Sequence, residues 1–352
     1  MPGITVIGTG MFAPGEPVTN HALSRVMDTN DEWIRQRTGI VQRHFVTEGQ
    51  TVSDLGYEAA KRAIADAGVE ASEIDYIVMA TMTPDYAFPG PGGMVGEKLG
   101  IAGIPALDIR QQCCAVPFGL QVADGLVSSG AASTVLFVGA DAHAGFMPWS
   151  DWDVLRGESD REVSEEAFAR ATRHRGVSIL FGDGAGAMVL RKSEDDDGGL
   201  LGSEIHTDGG LAELIHLQGG GFRGLPYCTP GMLEREEYIP RMDGRNLFKA
   251  AVTKLPKVVK SLVAKHGLTV DDIDLFVAHQ ANDRINSLVR QNLGAPEEKV
   301  PSNIAVYGNT SAGTIGILLD EQRRTGRVKR GDLVCFLALG AGLNWGAVLM
   351  RL

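Results

Sequence analysis

The feature that most constrains the fold of this chain is a sequence pattern that returns after about 200 residues. Before the apolar run Tyr76–Ala80, a helical stretch is followed by a glycine and by Asp75. The same order precedes Leu275–Ala278, where Asp274 stands 199 residues after Asp75 (274 − 75). A repeat of this length is too long for a solenoid. It therefore predicts two similar halves within one chain.

Apolar runs and helical stretches alternate along both halves. The runs typical of buried strands are Ile4–Ile7, Tyr76–Ala80, Thr134–Gly139, Ala187–Leu190, Leu275–Ala278 and Leu333–Leu337. The helical patterns between them include Asp54–Ala67, Val116–Val127 and Leu247–Lys265. This alternation predicts an α/β fold in which helices cover buried sheets.

The acidic, glycine-ended run at 194–199 indicates where the halves meet. We expect residues 1–194 to form the N-terminal half and residues 195–352 the C-terminal half. Residues 144–174 break the symmetry and are expected to be an insertion in the first half. Trp149 and Trp152 favour an ordered insertion, and Ser164 is expected to cap a short helix within it.

Composition argues against several classes of function. The chain has 33 basic and 44 acidic residues, a formal charge of -11 that disfavours binding to nucleic acid. Its four cysteines form no CxxC pair, which argues against a zinc ribbon and favours a reduced, cytoplasmic protein. Residues 1–8 indicate a strand rather than a signal peptide, and no apolar run is long enough to span a membrane.

Two glycine-rich motifs need separate interpretation. Gly8-Thr9-Gly10 matches part of the dinucleotide-binding pattern, but Pro14 and Pro17 exclude the helix that this pattern requires. A strand that ends in a turn is the better interpretation. The stretches 181–186 and 339–342 each lead into an apolar run and are predicted to be tight hairpins.

Cys113 and Cys114 stand between a short apolar run and a predicted helix. A cysteine at a helix N-terminus lies in the positive end of the helix dipole, which lowers the pKa of its thiol and favours the thiolate. A pair of small, inert, buried residues is equally compatible with the local sequence. The local sequence leaves open which description applies.

Two further polar motifs lie in the second half. His279 follows the strand-like run Leu275–Ala278, and strand ends of this kind carry ligands in open α/β sheets. Asn309 lies in a glycine-flanked turn, 196 residues after Cys113 (309 − 113). Because this spacing is close to the repeat length, we expect Cys113 and Asn309 to occupy corresponding points at the interface of the halves. Structural alternatives are a satisfied histidine and a helix N-cap.

Together these motifs resemble the β-ketoacyl-acyl-carrier-protein synthases III of the thiolase superfamily. The segments that carry the resemblance are Asp31–Ile40, Asp108–Cys113, Phe181–Gly186, His279–Asn282, Gly308–Ala312 and Trp345–Gly346. The resemblance covers nearly the whole chain outside 144–174. It implies the thiolase fold, in which two similar α/β halves form a layered αβαβα sandwich. It also implies acyl transfer from a thioester to a cysteine, followed by decarboxylative Claisen condensation with a malonyl thioester.

The resemblance assigns roles to individual residues. It implies that Cys113 is the acylated nucleophile and that Cys114 is a neighbour. His279 and Asn309 would stabilise the enolate that forms when the malonyl thioester loses carbon dioxide. The backbone N–H groups of Cys113 and Ala341 would form the oxyanion hole, although the family usually has glycine where Ala341 stands.

The resemblance also implies how substrates and partners bind. Trp33 would stack on the adenine of coenzyme A, and Arg37 and Arg175 would contact its phosphates. Lys249 and Arg284 would favour docking of an acidic acyl carrier protein. The implied substrates are acyl-coenzyme A and a malonyl thioester, with no further cofactor and no metal.

Two departures from the family bear on the substrate. Arg245 replaces an asparagine that the family commonly uses near the site, and the insertion 144–174 is expected beside the acyl chain. Both favour a longer, branched or unusual acyl group. The resemblance further implies a homodimer, in which Phe88 reaches the partner's acyl pocket. The alternatives are acyl transfer to a non-malonyl acceptor and a non-catalytic scaffold that only binds the carrier protein.

Overall fold

Two β-sheets form the framework of the protein. The computed structural model describes residues 3–352, so the part of the predicted first strand at Met1 and Pro2 lies outside the described residues. The strands are β1 (Ile4–Phe12), β2 (Val18–Thr19), β3 (Gln42–Arg43), β4 (Tyr76–Ala80), β5 (Ala106–Ile109), β6 (Thr134–Asp141), β7 (Gly184–Lys192), β8 (Gly199–Thr207), β9 (Ile215–His216), β10 (Arg241–Met242), β11 (Leu275–Ala278), β12 (Leu333–Gly340) and β13 (Asn344–Arg351). The helices are α1 (Asn20–Ser24), α2 (Asp31–Thr38), α3 (Val52–Ala67), α4 (Gly92–Lys98), α5 (Ala115–Ser128), α6 (Trp152–Leu155), α7 (Glu165–Arg173), α8 (Arg175–Ser178), α9 (Pro230–Glu234), α10 (Gly244–Lys265), α11 (Asp283–Leu293), α12 (Ile304–Tyr307) and α13 (Thr314–Arg324).

The two large sheets repeat one strand order. The N-terminal sheet has the order β1-β7-β6-β4-β5, and the C-terminal sheet has the order β8-β13-β12-β11. The pairing directions also correspond. The pairs β4–β6 and β11–β12 are parallel. The pairs β6–β7 and β1–β7 in the first sheet, and β12–β13 and β8–β13 in the second, are antiparallel. Asp75 and Asp274 have equivalent roles, since each carboxylate accepts a backbone N–H at the start of the neighbouring strand.

The helices complete a five-layer αβαβα sandwich. Helices α3 and α4 cover the outer face of the N-terminal sheet, and α10 and α11 cover the outer face of the C-terminal sheet. Between the sheets, α5 packs on β6 of its own half and on β12 and β13 of the other half, while α13 packs mainly on β1 and β7. Phe137, Leu318 and Phe336 belong to the buried apolar core of this middle layer. The predicted α/β sandwich is thereby confirmed, and its two halves share one core. The boundary at 194/195 lies between β7 and β8 and stays a prediction.

The glycine motifs serve close packing of helices on strands. The strand that contains Gly8 and Gly10 runs on to Phe12, so the turn predicted there is wrong. A Cβ atom on Gly10 would lie 2.3 Å from the backbone oxygen of Ala59 in α3. The tight hairpin predicted at 181–186 is also wrong, because the glycines from Gly184 onward belong to β7. The predicted turn at 339–342 does join two paired strands, β12 and β13.

Residues 144–174 are ordered and pack against residues 18–45, which include α1 and α2. Trp149 and Trp152 make edge-to-face contacts with Phe45, at ring-centroid distances of 6.1 and 5.3 Å. Ser164 accepts a hydrogen bond from the N–H of Ala167 and caps α7, as predicted. No residue of this segment lines the cavity beside Cys113, and its expected position along the acyl chain stays a prediction.

No helix within residues 3–352 combines the length and the apolar character needed to cross a membrane.

Candidate active site

Cys113 lies between the two sheets, in a turn that we call the Cys113 turn (Gln112–Cys114). This turn is a 3-10 helix at the N-terminus of α5, and Gln112 has the left-handed φ of 44°. Cys113 is 8% exposed and lines a cavity that we call the central cavity. A Cβ atom on Gly340 would lie 2.9 Å from the Cβ of Cys113. Glycine at this position therefore lets β12 approach the cysteine.

A second turn of the same shape lies in the other half. The Ser311 turn (Ser311–Gly313) precedes α13, and Ser311 has a φ of 49°. Gln112 and Ser311 are 199 residues apart (311 − 112), which is the spacing of Asp75 and Asp274. The counterpart of Cys113 is therefore Ala312. The predicted equivalence of Cys113 and Asn309 is wrong, because the repeat is three residues longer than their separation.

Cys114 points away from the central cavity. Its side chain is fully buried in the middle apolar layer, and its Sγ lies 3.5 Å from the carbonyl oxygen of Ala338. Cys113 alone of the pair lines the cavity. The geometry thus distinguishes the two cysteines, because Cys113 faces the cavity and Cys114 belongs to the core.

The thiol of Cys113 is protonated in the resting protein. Burial raises its pKa to about 12, even though the Ser311 hydroxyl lies 3.5 Å from its Sγ and opposes the shift. The prediction that the helix N-terminus lowers this pKa is therefore wrong, because desolvation of the thiolate outweighs the dipole. A reaction at Cys113 needs a group that accepts its proton.

Alkylation of Cys113 by iodoacetamide should be slow at neutral pH and should accelerate steadily on raising the pH. Because only the thiolate reacts, a pKa of about 12 predicts a rate that rises about tenfold per pH unit with no plateau below pH ~10. Peptide mass spectrometry can follow the modification, with the exposed Cys228 as an internal reference for the reagent. A plateau between pH ~7 and ~9 would show that the resting group is a thiolate.

His279 places an imidazole in the wall of the same cavity. It follows β11, and its backbone N–H donates to the carbonyl oxygen of Leu337. Its Nδ1 lies 2.7 Å from the Thr314 hydroxyl, which donates its own proton to the Ser311 carbonyl oxygen at 3.0 Å. Since that hydroxyl has one proton, Nδ1 must carry the hydrogen of the imidazole. Nε2 therefore keeps a free lone pair, and burial lowers the pKa of His279 to about 3.

Asn309 is oriented by the Ser311 turn. Its Oδ1 accepts the backbone N–H of Ser311 at 2.9 Å, which identifies the oxygen end of the amide. A bridge to Phe181 of the first half fixes its backbone. The amide hydrogens on Nδ2 of Asn309 can consequently be donated to a ligand. Cys113, His279 and Asn309 all line the central cavity, so the structure brings the three predicted residues together.

Ala341 follows Gly340 and lines the same cavity. The Asn344 amide donates to the Ala341 carbonyl oxygen at 2.5 Å, and the Thr207 hydroxyl donates to Asn344 Oδ1 at 2.7 Å. Among the hydrogen bonds within residues 3–352, the N–H groups of Cys113 and Ala341 have no acceptor. Two such donors are what an oxyanion hole requires.

The rim of the cavity carries an aromatic and basic cluster. The guanidinium groups of Arg37 and Arg175 lie 4.2 and 5.0 Å from the ring centroid of Trp33. Arg175 also forms an ion pair with Asp28 at 2.9 Å. Asn282, which lines the cavity, donates to the Arg37 carbonyl oxygen. The three residues predicted to bind coenzyme A are therefore neighbours at one mouth.

The other predicted contact residues lie on the surface. Arg245 and Lys249 are exposed near the start of α10, and Arg284 is exposed in the first turn of α11. Phe88 is 84% exposed. None of the four lines the central cavity, and their roles stay predictions.

Four residues of the site were missed from the sequence. Ser311 and Thr314 orient Asn309 and His279, and Asn344 holds the peptide of Ala341. Gly340 makes room for Cys113. Their proximity in sequence to the Asn309 and Ala341 motifs was the available signal, but their partners are fixed by tertiary contacts.

Known proteins resemble the chain over nearly its full length. Residues 35–144 match the family described as Thiolase, N-terminal domain. Residues 163–209 match 3-Oxoacyl-[acyl-carrier-protein (ACP)] synthase III, and residues 263–352 match the C-terminal part of the same enzyme. The β-ketoacyl-[acyl-carrier-protein] synthase III of Rhodobacter capsulatus is 39% identical over 350 residues, which cover 98% of each chain. The enzyme of that name from Rhodospirillum rubrum is 40% identical over 352 residues, covering 99% of this chain and 98% of the relative.

Solved structures agree with these matches. The 3-oxoacyl-[acyl-carrier-protein] synthase III of Aquifex aeolicus superposes with a TM-score of 0.84 at 37% identity, over 99% of this chain and 100% of that one. The priming β-ketosynthase of the R1128 polyketide pathway gives a TM-score of 0.84 at 28% identity, over 99% and 96% of the two chains. With the fold, the cysteine turn and relatives at 39% identity in agreement, the chain belongs to the β-ketoacyl-[acyl-carrier-protein] synthase III family of thiolase-fold acyltransferases.

Proposed function

We propose that Cys113 takes the acyl group of a thioester in the first half-reaction. The Nε2 lone pair of His279 accepts the thiol proton while sulfur attacks the carbonyl carbon. The N–H groups of Cys113 and Ala341 stabilise the oxyanion of the tetrahedral intermediate. The C–S bond to the leaving thiol then breaks, and the imidazolium returns its proton to that thiolate. The products are an acyl thioester on Cys113 and a free thiol such as coenzyme A.

In the second half-reaction a malonyl thioester loses carbon dioxide and becomes an enolate. The Nδ2 donors of Asn309 stabilise its oxygen, and its carbon attacks the acyl group on Cys113. The C–S bond breaks, the β-ketoacyl thioester forms, and the thiolate of Cys113 takes up one proton. Because the resting His279 offers a lone pair at Nε2, we expect Asn309 to provide more of the enolate stabilisation than His279.

The observation that carries the proposal is the convergence of Cys113, His279, Asn309 and Ala341 on one buried cavity. Incubation with acetyl-coenzyme A and malonyl-acyl carrier protein should give one acyl adduct on Cys113 and release of carbon dioxide. Acylation without carbon dioxide from any malonyl donor would point to a different acceptor. Absence of both products would leave only a binding role.

Two groups of surface residues would bind the carriers of the two substrates. The cluster of Trp33, Arg37 and Arg175 suits the adenine and phosphates of coenzyme A. Lys249 on α10 and Arg284 on α11 present exposed positive charge, which favours an acidic acyl carrier protein. The related β-ketoacyl-[acyl-carrier-protein] synthases III, which are named for this carrier protein, support the choice of partner. Arg245 stands where the family commonly has asparagine, and we expect this change to alter substrate binding.

The remaining proposals concern the oligomeric state, the cellular compartment, the need for a cofactor and the roles of the two halves. A homodimer would cover the exposed ring of Phe88, which a monomer leaves in water. The four free cysteines fit a reducing cytoplasm. The proposed chemistry uses a thiol, an imidazole and amide donors, so it calls for no resident cofactor or metal. The halves 1–194 and 195–352 would supply the nucleophile and the His279–Asn309 pair respectively.

Replacing Thr314 with valine should slow acylation of Cys113 by about tenfold to a hundredfold. The change keeps the side-chain shape but removes the acceptor that holds the hydrogen of His279 on Nδ1. A Thr314→Ser variant restores the hydroxyl and should recover most of the rate. Single-turnover mass spectrometry of the acyl adduct measures the effect. Equal rates for the valine variant and the wild type would contradict this role, as would equal impairment of both variants.

A further inference from the structure

Asp141 carries a fully buried carboxylate that the proposed chemistry does not use. It is the last residue of β6 and is 0% exposed. Its Oδ1 accepts the hydroxyls of Thr81 and Thr83, each at 2.9 Å, and the backbone N–H of Met82 at 2.8 Å. Its Oδ2 accepts the backbone N–H of Ala312 at 3.0 Å. One carboxylate therefore joins the first half of the molecule to the Ser311 turn of the second.

The repeat identifies the residue at the equivalent place in the other half. The strands β6 and β12 end 199 residues apart (340 − 141), so Gly340 is the counterpart of Asp141. Cys113 and Ala312 are separated by the same 199 residues (312 − 113). A Cβ atom on Gly340 would lie 3.0 Å from the backbone nitrogen of Cys113. The two contacts between a strand end and the turn of the other half therefore correspond, and only the one at Ala312 includes a side chain.

This difference determines what each of the two equivalent N–H groups can bind. The N–H of Cys113 lies beside a glycine and has no acceptor in the part of the chain that the structure describes, so it can donate to a substrate oxygen. The N–H of Ala312 already donates to a carboxylate oxygen of the protein. Asp141 thus provides at Ala312 a permanent acceptor, where Cys113 would meet an oxyanion only during the reaction.

The bond to Ala312 holds the turn that orients the catalytic side chains. The N–H of Ser311, the residue before Ala312, donates to Asn309. The carbonyl oxygen of Ser311 accepts the Thr314 hydroxyl, which in turn holds the imidazole of His279. Ser311 has a left-handed φ of 49°, a conformation that persists in a residue with a side chain only where surrounding contacts maintain it. The bond to the N–H of the next residue is such a contact.

A carboxylate suits this position because both of its oxygens accept hydrogen bonds. An amide of the same shape accepts on one side and donates on the other. In an Asp141→Asn variant, one backbone N–H, of either Met82 or Ala312, would therefore meet the amide donor. Burial is the main cause of the raised pKa of the Cys113 thiol, and the charge of Asp141 adds to it, which shows that the carboxylate lies close to the nucleophile.

We propose that Asp141 is a positioning residue for the condensation, which acts by holding the Ser311 turn through the backbone N–H of Ala312. This inference rests on the proposed function and adds to it a residue that does not line the central cavity. The carboxylate keeps Asn309 and His279 in place in the cavity wall. Loss of its bond to Ala312 should slow turnover without weakening the binding of the carriers at the surface.

Asp141→Asn tests this role through the kinetics. We expect kcat for the condensation of acetyl-coenzyme A with malonyl-acyl carrier protein to fall by about tenfold to a hundredfold, since a displacement of catalytic groups by about 1 Å has an effect of this size. KM for both substrates should change by less than about twofold. Asp75→Asn is the matched control, because Asp75 also accepts backbone N–H groups, of Ser133 and Thr134, at the other end of the same sheet. An unchanged kcat in Asp141→Asn, or a rise in KM alone, would overturn the proposal.

Hydrogen exchange separates positioning from a general loss of stability. In Asp141→Asn, exchange should accelerate by about tenfold or more in peptides that contain the Ser311 turn, while peptides that contain the Cys113 turn should keep their protection. Equal acceleration in both sets of peptides would contradict the inference. The measurement needs no turnover, so it tests the contact separately from the proposed function, on which carbon dioxide release by the wild type reports.

A backbone variant tests the same contact while keeping Asp141. Lactic acid in place of Ala312, introduced by nonsense suppression, exchanges the N–H for an ester oxygen and keeps the methyl side chain. Condensation should fall by about tenfold or more. The control is lactic acid in place of Ala295, whose N–H donates to the Arg290 carbonyl oxygen away from the Ser311 turn, and its kcat should be unchanged. Wild-type kcat in the Ala312 ester would overturn the proposal, even if Asp141→Asn does not fold.

Discussion

Replacing Cys113 with alanine should abolish both the acyl adduct and condensation, with a loss of the order of 10⁴- to 10⁶-fold. No other group that faces the central cavity can form a thioester, and the oxyanion donors alone give only residual rates. The cavity should still bind thioesters, since its walls do not depend on the sulfur. Intact-mass analysis after incubation with acetyl-coenzyme A checks the adduct, and carbon dioxide release checks the second step.

The matched control for this experiment is Cys114→Ala. Cys114 lies in the middle apolar layer with its sulfur on the Ala338 carbonyl oxygen, outside the cavity. Its removal should lower the free energy of unfolding by about 1 kcal/mol and leave acylation intact. An adduct that persists in Cys113→Ala and disappears in Cys114→Ala would reverse the assignment of the nucleophile.

Replacing Asn309 with aspartate should separate the two half-reactions. The carboxylate can still accept the N–H of Ser311, so the turn keeps its shape. It places an acceptor where the enolate needs a donor, so condensation at neutral pH should fall by about 10²- to 10³-fold. Acylation of Cys113 should continue at a rate close to that of the wild type, because its oxyanion is stabilised by Cys113 and Ala341.

The pH dependence of this variant gives a sharper test. Burial disfavours the charged form, so the new carboxyl group should take up a proton as the pH falls and then act as a donor. Condensation by Asn309→Asp should therefore increase on acidification, whereas Asn309→Ala should show no such recovery. Carbon dioxide release across a pH series, with the acyl adduct quantified in parallel, measures both. Parallel loss of acylation and condensation would contradict a role confined to the enolate.

Much of the architecture was accessible from periodicity alone. The strands at Tyr76–Ala80 and Leu275–Ala278 have the predicted bounds, and the 199-residue spacing of Asp75 and Asp274 is the true repeat. The glycines of β1 and β7 were misinterpreted as turns. Their role depends on helices that pack against them from elsewhere in the chain, which no local pattern reveals.

The site was predictable in identity but not in its electrostatics. Cys113, His279 and Asn309 were recognised from their motifs and from the family resemblance. The raised pKa of the Cys113 thiol could not be predicted. The sequence reveals that Cys113 lies at a helix N-terminus, but it does not reveal that the residue is buried between two sheets. The hydrogen on Nδ1 of His279 likewise depends on Thr314, which reaches it only in the folded chain.

The packing of α5 and α13 against both sheets bears on the ancestry of the molecule. A half-length chain on its own would leave part of its sheet and the far side of its middle helix uncovered. Two copies related by a two-fold axis would satisfy both needs at once, as the present halves do. Gene duplication followed by fusion of such a dimer would free its two identical turns to diverge. In this chain one turn keeps the nucleophile, while its counterpart has alanine at position 312 and supports the histidine and asparagine instead.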